Sequence, residues 1–176
     1  MSATHRSSSL DALARRGDVD AMCRLADRLM RRETPATYRR ALLLLKRAAK
    51  GGSVWAQYHV GYIYDHGLGV RRNRRVAALS YALAAGAGFD SAQVNLGVLM
   101  ANLDGSRRDY KLAIRLYRQA AAQGNRNAAY NLGLYYREGR GVRRSLSVAA
   151  RWFRRAANAG DKDARRALKA LHARSS

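Results

Sequence analysis

The sequence predicts an all-α protein, a right-handed superhelix (solenoid) of about four helix-turn-helix repeats, each 36 residues long. The prediction rests on three ladders of small residues that recur at this spacing along the chain. One ladder is glycine and two are alanine: Gly52, Gly88, Gly124 and Gly160; Ala48, Ala84, Ala120 and Ala156; Ala41, Ala77, Ala113 and Ala149. Self-similarity at a fixed period is the sequence signature of stacked repeats.

The small residues and the helix-capping residues support the same division of the chain. Small residues fit where two helices cross closely, and glycine ends a helix in a left-handed conformation that it enters at little cost. Residues that favour N-caps stand in front of the expected helices. Before the second helix of each repeat they are Thr37, Asn73, Asp109 and Ser145; before the first helix they are Ser53, Asn125 and Asp161, with Asp90 serving the third repeat.

These signals predict a short N-terminal capping helix, four helical pairs and a closing helix. The capping helix covers 9–16, the pairs cover 18–31 with 37–50, 53–65 with 73–87, 90–102 with 109–123 and 125–137 with 145–159, and the closing helix covers 161–173. We therefore expect a flexible tail over 1–9, one repeat domain over 10–173 and a tail over 174–176. The repeats within the domain are 18–52, 53–88, 89–124 and 125–160, followed by a C-terminal cap at 161–173.

The second and fourth repeats share a longer motif. It reads Ala56-x3-Val60-Gly61-x2-Tyr64-x2-Gly67-x-Gly69-Val70 in one and Ala128-x3-Leu132-Gly133-x2-Tyr136-x2-Gly139-x-Gly141-Val142 in the other. This motif resembles the signature of the Sel-one-like repeats, a branch of the tetratricopeptide-like solenoids, and the likeness extends over nearly the whole chain. The first and third repeats depart from it at 31–35 and 102–106, so we expect these two loops to differ in shape.

Composition favours binding over catalysis. Lys and Arg number 34 against 12 Asp and Glu, a formal net charge of +22, which favours an acidic partner unless it reflects an arginine-rich genome. Glu33 and Glu138 are the only glutamates, the four histidines lack zinc-type spacing, and Cys23 is the only cysteine. We therefore expect no enzymatic activity, no cofactor and no metal site.

The chain also shows no pattern of a membrane-spanning segment. Its longest uncharged run, 76–89, is too short to cross a bilayer. We expect a cytoplasmic protein without an integral membrane segment, with a mitochondrial transit segment at the serine-rich start as the alternative.

The resemblance implies a concave face lined by the first helix of each repeat, and this face is the first candidate binding surface. The residues that flank the buried Leu-Gly pair are then expected to point into a groove. They are Trp55, Tyr58 and Tyr62 in the second repeat, Val94, Val98 and Asn102 in the third, and Tyr130, Leu134 and Arg137 in the fourth. The aromatic members offer a large contact area at low entropic cost, but an aromatic stripe at helical spacing also fits packing between repeats.

A basic edge is the second candidate surface. Arginine pairs recur just before each second helix, and further basic residues recur just inside it: Arg71, Arg72, Arg107, Arg108, Arg143 and Arg144, with Arg39, Arg75 and Lys111. In stacked repeats such positions align, and helix N-termini add positive potential.

Two functions follow from these surfaces. The resemblance implies a protein–protein interaction scaffold or adaptor that holds an acidic or amphipathic segment of another protein. The alternative is a helical-repeat protein that binds the RNA backbone through the basic edge.

Overall fold

The computed structural model describes residues 3–102 and 106–173, and every regular element within these ranges is an α-helix. The helices are α1 (Ala3–Arg15), α2 (Val19–Met30), α3 (Pro35–Lys50), α4 (Val54–His66), α5 (Arg74–Gly86), α6 (Asp90–Ala101), α7 (Arg107–Ala122), α8 (Arg126–Glu138), α9 (Leu146–Asn158) and α10 (Lys162–His172). The all-α prediction is confirmed. Residues 103–105, in the predicted loop of the third repeat, and the predicted tail over 174–176 lie outside the described residues.

The chain forms two compact units, Met1–Phe89 and Asp90–Ser176. In the first unit each helix from α1 to α5 packs on the next, and in the second each helix from α6 to α10 does so. Helices that follow each other in sequence are therefore neighbours in space, as in stacked helical hairpins. The boundary between the units lies one residue after the predicted boundary between the second and third repeats, and a single domain over 10–173 stays a prediction.

The alanine ladders lie in the cores of the two units. Every member of the ladders that begin at Ala41 and Ala48 is 0% exposed. Larger side chains fill the space between the helices, and Leu45, Tyr81, Tyr117 and Phe153 are among the largest that are fully buried. The ladders thus mark close helix contacts, which a bulkier residue would push apart.

The second helices of the four repeats, α3, α5, α7 and α9, end in the same pattern of backbone hydrogen bonds. The glycine after the helix has a positive φ, 89° at Gly52, and the next backbone N–H donates to the carbonyl of the ladder alanine. These bonds join Ser53 to Ala48, Phe89 to Ala84, Asn125 to Ala120 and Asp161 to Ala156, at 3.0 or 3.1 Å. This is the Schellman arrangement, and it confirms the predicted glycine terminator.

The residue after the glycine usually opens the next helix as well. Ser53, Asn125 and Asp161 are the N-caps of α4, α8 and α10, as predicted. Asn73 and Ser145 cap α5 and α9, also as predicted. A single residue therefore satisfies a free carbonyl of one helix and a free amide of the next, which fixes the turn between them.

Two predicted N-caps, Thr37 and Asp109, are wrong. The cap of α3 is Thr34, whose side chain accepts from the Thr37 backbone at 3.2 Å, and Pro35 occupies the first helical turn. The cap of α7 is Ser106, whose hydroxyl accepts from the Asp109 backbone at 3.1 Å. Both preceding loops lack the paired glycines of the second and fourth repeats, and both helices begin earlier than predicted.

The first helix also begins earlier than the predicted residue 9. Residues 3–9, which we expected to form a flexible tail, are helical and continue into the rest of α1. The helix is anchored by Ala14, which is 2% exposed and belongs to the core of the first unit. Once the helical turn around Ala14 is fixed by packing, extending the helix towards its N-terminus costs little free energy per residue, even for serine.

Candidate partner-binding surfaces

One side of α4 carries five aromatic rings, which we call the α4 aromatic face: Trp55, Tyr58, His59, Tyr62 and His66. Steps of three and four residues place side chains on the same side of a helix. The ring centroids of Trp55 and His59 are 4.0 Å apart, those of His59 and Tyr62 6.4 Å, and those of Tyr62 and His66 4.1 Å. The rings therefore form a continuous row along the helix.

Tyr58 anchors this row to the core. Its ring centroid lies 5.8 Å from that of Tyr81 on α5 and 5.0 Å from that of Phe89 after α5. It is half-buried and serves packing as well as the surface. Trp55 and Tyr62, also half-buried, are the members whose ring contacts run along α4 itself, to His59 and His66. They are the better candidates for contact with a partner.

A groove of about 580 Å³ lies beside Trp55. Its other walls come from α2 and from the turn between α3 and α4, with Asp20, Cys23, Arg24 and Asp27 among its residues. Sequence reasoning missed this contribution of the first repeat, although the period of 36 places α2 in the same role as α4. The groove is therefore polar as well as aromatic, with two carboxylates and one guanidinium group.

His59 lies at the centre of the α4 aromatic face. Burial lowers the pKa of its imidazole to about 4, and the nearby charge of Asp27 acts weakly in the opposite direction. Among the residues that the structure describes, its Nδ1 atom is buried without a hydrogen-bond partner. The ring is therefore neutral at neutral pH and adds to the aromatic row rather than to its charge.

In the second unit, one predicted groove residue is wrong. Val94 stands one period after Tyr58, but it is 7% exposed and belongs to the core of the second unit. The valine side chain is too short to extend past the core as a tyrosine does. Val98, which is 40% exposed, and the exposed Asn102 are accessible on α6 and at its end.

The fourth repeat reproduces the packing of the second. The ring centroids of Tyr130 and Phe153 are 5.7 Å apart, matching the distance between Tyr58 and its α5 partner. Leu134 is partly buried against the core. Arg137 forms an ion pair with Glu138 at 2.8 Å and lies over the Phe153 ring. These three residues are accessible in part, and Tyr130 is chiefly a packing residue.

The basic edge of the first unit consists of Arg39, Arg71, Arg72 and Arg75, all exposed. Two of them have contacts within the unit. Arg39 donates to the carbonyl of Gly69 at 3.4 Å, and Arg72 pairs with Asp65 at 3.4 Å. Part of the edge therefore supports the loop between α4 and α5.

The basic edge of the second unit lines two depressions. Arg108 and Lys111 border one of about 470 Å³, and Arg143 and Arg144 border another of about 620 Å³. Arg144 also donates to the carbonyl of Arg137 at 3.1 Å. The side chain of Arg107 is outside the described part of the chain.

Helical hairpins of constant period, with an aromatic face on a first helix and a basic edge at the second helices, define a helical-repeat protein. The Sel1 repeat model matches residues 19–53, 56–88, 90–125 and 126–161, and the chain belongs to the Sel1 repeat family. Proteins of this family have an α-solenoid fold and generally mediate protein–protein interactions. No curated protein sequence matches the chain.

Solved structures agree with this assignment. A Sel1 repeat protein from Oxalobacter formigenes is 28% identical with a TM-score of 0.77, over 85% of this chain and 62% of that one. The protective antigen c5321 of uropathogenic Escherichia coli, which displays an SLR fold, is 34% identical with a TM-score of 0.83, over 90% of this chain and 34% of that one. The chain thus spans less than two thirds of either protein.

A third structure supports the fold alone. A Sel1 repeat protein from Klebsiella pneumoniae is 16% identical with a TM-score of 0.53, over 94% of this chain and 98% of that one.

Within the described ranges, no helix combines the length and the apolar character needed to cross a membrane.

Proposed function

We propose that the chain is a non-enzymatic scaffold that holds a segment of another protein on the α4 aromatic face. The row of rings from Trp55 to His66 carries the proposal, because large aromatic side chains dominate the energetics of protein interfaces. The groove beside Trp55 extends this face and gives a partner side chain a place to be buried.

The charges of the first unit favour an amphipathic partner with acidic residues. All charged residues of α3 and α5 are basic, whereas α2 carries Asp20 and Asp27 together with Arg24 and Arg28. Acidic residues of a partner are therefore favoured beside α3 and α5 rather than in the groove. An apolar side of the segment would cover the rings, and its carboxylates would face the exposed Arg71 and Arg75. The groove and the basic edge would then act on two sides of one segment.

A selection from phage-displayed random peptides on the immobilised full chain tests this proposal. Enriched peptides should bind Trp55→Ala and Tyr62→Ala at least about tenfold more weakly than the unaltered chain, since buried aromatic residues are frequent hot spots. The matched control is Tyr64→Ala. Tyr64 lies on the same helix, but its ring is not part of the α4 aromatic face and its hydroxyl accepts a hydrogen bond from Lys46. Enriched peptides that bind Trp55→Ala and Tyr62→Ala as well as the unaltered chain would exclude the face as the binding site.

The basic edge supports a second candidate function, binding to the RNA backbone. The exposed Arg108 and Lys111 beside a depression favour it, because phosphate contacts need accessible cations more than a shaped pocket. The affinity for single-stranded RNA should then fall linearly with salt on logarithmic axes, and Arg71→Glu, Arg108→Glu and Arg143→Glu should reduce the slope. Absence of binding to RNA near physiological salt removes this candidate.

A further inference from the structure

Helix α5 is apolar on two opposite sides. Its inner side, which includes Ala77 and Tyr81, is buried in the first unit. Its outer side bears four exposed residues, which we call the α5 stripe: Leu79, Ala82, Leu83 and Gly86. Leu79 and Leu83 are 69% and 63% exposed, although leucine side chains in this arrangement are normally covered.

The spacing of the α5 stripe matches that of a helix–helix contact. Positions i, i+3, i+4 and i+7 form one row along a helix, and such a row is the pattern of a buried face. Ala82 and Gly86 leave shallow places beside the two leucines, so that a second helix can approach the backbone closely. The stripe therefore has the shape of half of a helical interface.

The other second helices of the chain provide an internal comparison. At the four equivalent positions α3 reads Leu-Lys-Arg-Lys, α7 reads Arg-Arg-Gln-Ala and α9 reads Arg-Arg-Arg-Asn. Each of these helices places at least two charged residues where α5 places none. The fold thus does not require an apolar residue at these positions, and the α5 stripe needs another explanation.

The charges around the stripe indicate what kind of partner fits it. Arg74 and Arg75 stand exposed at the start of α5, one turn before Leu79, and α5 has no acidic residue. The positive end of the helix dipole adds to their potential. A helix that covers the stripe gains most if its apolar row continues into a cluster of carboxylates at the end beside Arg75.

We propose that the α5 stripe is a second docking surface, which takes an amphipathic helix of another protein with an acidic cluster at one end. A second copy of this chain fits less well, because two chains of net charge +22 repel each other. A lipid surface also fits less well, because the stripe has no aromatic residue and two of its four members are too small to insert.

The surface is separate from the α4 aromatic face and can be tested independently of it. The test uses a displayed library of helical peptides of about 20 residues, with the positions on one side of each helix varied. Selection on the full chain is followed by counter-selection on the double variant Leu79→Arg with Leu83→Gln. This variant carries the residues that α7 has at the same positions, so α5 should remain folded.

We expect enriched peptides with an apolar row and acidic residues at one end, which lose at least about tenfold in affinity in the double variant. Arg74→Glu with Arg75→Glu should weaken them further, whereas Leu43→Gln, which changes an exposed leucine of α3, should not. Peptides held by the α4 aromatic face should bind the double variant normally and lose affinity in Trp55→Ala and in Tyr62→Ala.

Three outcomes would overturn the proposal. The first is a selection in which no peptide distinguishes the unaltered chain from the double variant. The second is binding to vesicles of phosphatidylcholine and phosphatidylserine that the double variant abolishes, which assigns the stripe to a lipid surface. The third is a dimer, seen by sedimentation, that the double variant dissociates, which assigns the stripe to a second copy.

Discussion

The ring of Tyr81 lies directly against the backbone of Gly61, where α5 crosses α4. A β-carbon at Gly61 would stand 2.7 Å from Cδ1 of Tyr81 and 2.9 Å from its Cε1. The same relationship recurs one period later between Gly97 and Tyr117, at 2.7 Å, and again two periods later at Gly133. In the second, third and fourth repeats, the glycine of the Leu-Gly or Val-Gly step therefore makes room for an aromatic ring from the second helix.

Gly61→Ala should destabilise the protein by about 1–3 kcal/mol, because the added methyl group overlaps the fully buried ring of Tyr81 and packed cores tolerate added volume poorly. Urea denaturation followed by circular dichroism measures this change. Gly86→Ala is the matched control, since no atom lies within 4 Å of a β-carbon there and alanine favours the helix by up to about 1 kcal/mol. Equal effects of the two substitutions would contradict the packing argument.

The first repeat suggests a compensating change. It has Leu25 and Leu45 at the positions of Gly61 and Tyr81, and both leucines are buried in the same core. A larger residue on the first helix thus accompanies a smaller one on the second. Tyr81→Leu should therefore recover part of the stability lost in Gly61→Ala, and a double-mutant cycle would show a non-additive term of about 1 kcal/mol.

The sequence predicts the fold well because the contacts that define it are local and repeat. The residues of the Gly52 and Ala48 ladders form the same turn at the end of the second helix in all four repeats, so the sequence contains the signal for this turn four times. The predicted starts of α3 and α7 are wrong because the loops before them do not repeat the paired glycines, and the N-caps Thr34 and Ser106 therefore fall outside the repeated pattern.

The binding surface is less predictable from the sequence. The period shows which positions are equivalent, but the length of each side chain decides whether it reaches the surface. Tyr58 and Val94 share a position, yet the tyrosine is half-buried and the valine belongs to the core. The groove beside Trp55 depends on the way α2 and the α3–α4 turn surround that ring, which no single-helix pattern contains.

Asn125 links two helices of the second unit, and changing it to aspartate should destabilise the protein by about 1 kcal/mol. Aspartate is as good an N-cap as asparagine, and the amide oxygen accepts from Ala128 N at 3.0 Å. The amide nitrogen, however, donates to the Asp90 carboxylate at 2.7 Å, and a second carboxylate would lose this bond and repel the first.

Thermal or urea unfolding of Asn125→Asp measures this loss, with Asp161→Asn as the control. Asp161 caps α10 through the same bond to Ala164 N, at 2.8 Å, so this exchange of two good N-caps should be nearly neutral. A stability of Asn125→Asp equal to that of the unaltered chain would show that the bond to Asp90 contributes nothing.

Arg155 joins α9 to the end of α7. Its guanidinium group donates to the carbonyl of Ala121 and lies over the ring of Trp152, 5.6 Å from the centroid. We expect Arg155→Ala to lower the free energy of unfolding by about 1 kcal/mol, because it frees a carbonyl at the negative end of a helix. The neighbouring exposed Arg154 is the control, and Arg154→Ala should change the stability by less than about 0.5 kcal/mol.

The buried imidazole of His59 should make stability depend on pH between about 4 and 6.5. Burial depresses its pKa in the folded protein to about 4, below the ordinary value of 6.5, and the charge of Asp27 offsets this only in part. Between these pH values the unfolded chain binds a proton that the folded chain excludes, so the free energy of unfolding decreases as the pH falls. The loss should be on the order of 2 kcal/mol, below the full value of the shift because part of the ring reaches solvent.

His59→Asn introduces the residue found one and two periods later, at Asn95 and Asn131, and removes the titration. Urea denaturation of both proteins from neutral pH to pH 4 should show a smaller decrease in the variant, whereas parallel curves would mean that His59 is protonated as readily in the folded chain as in the unfolded one.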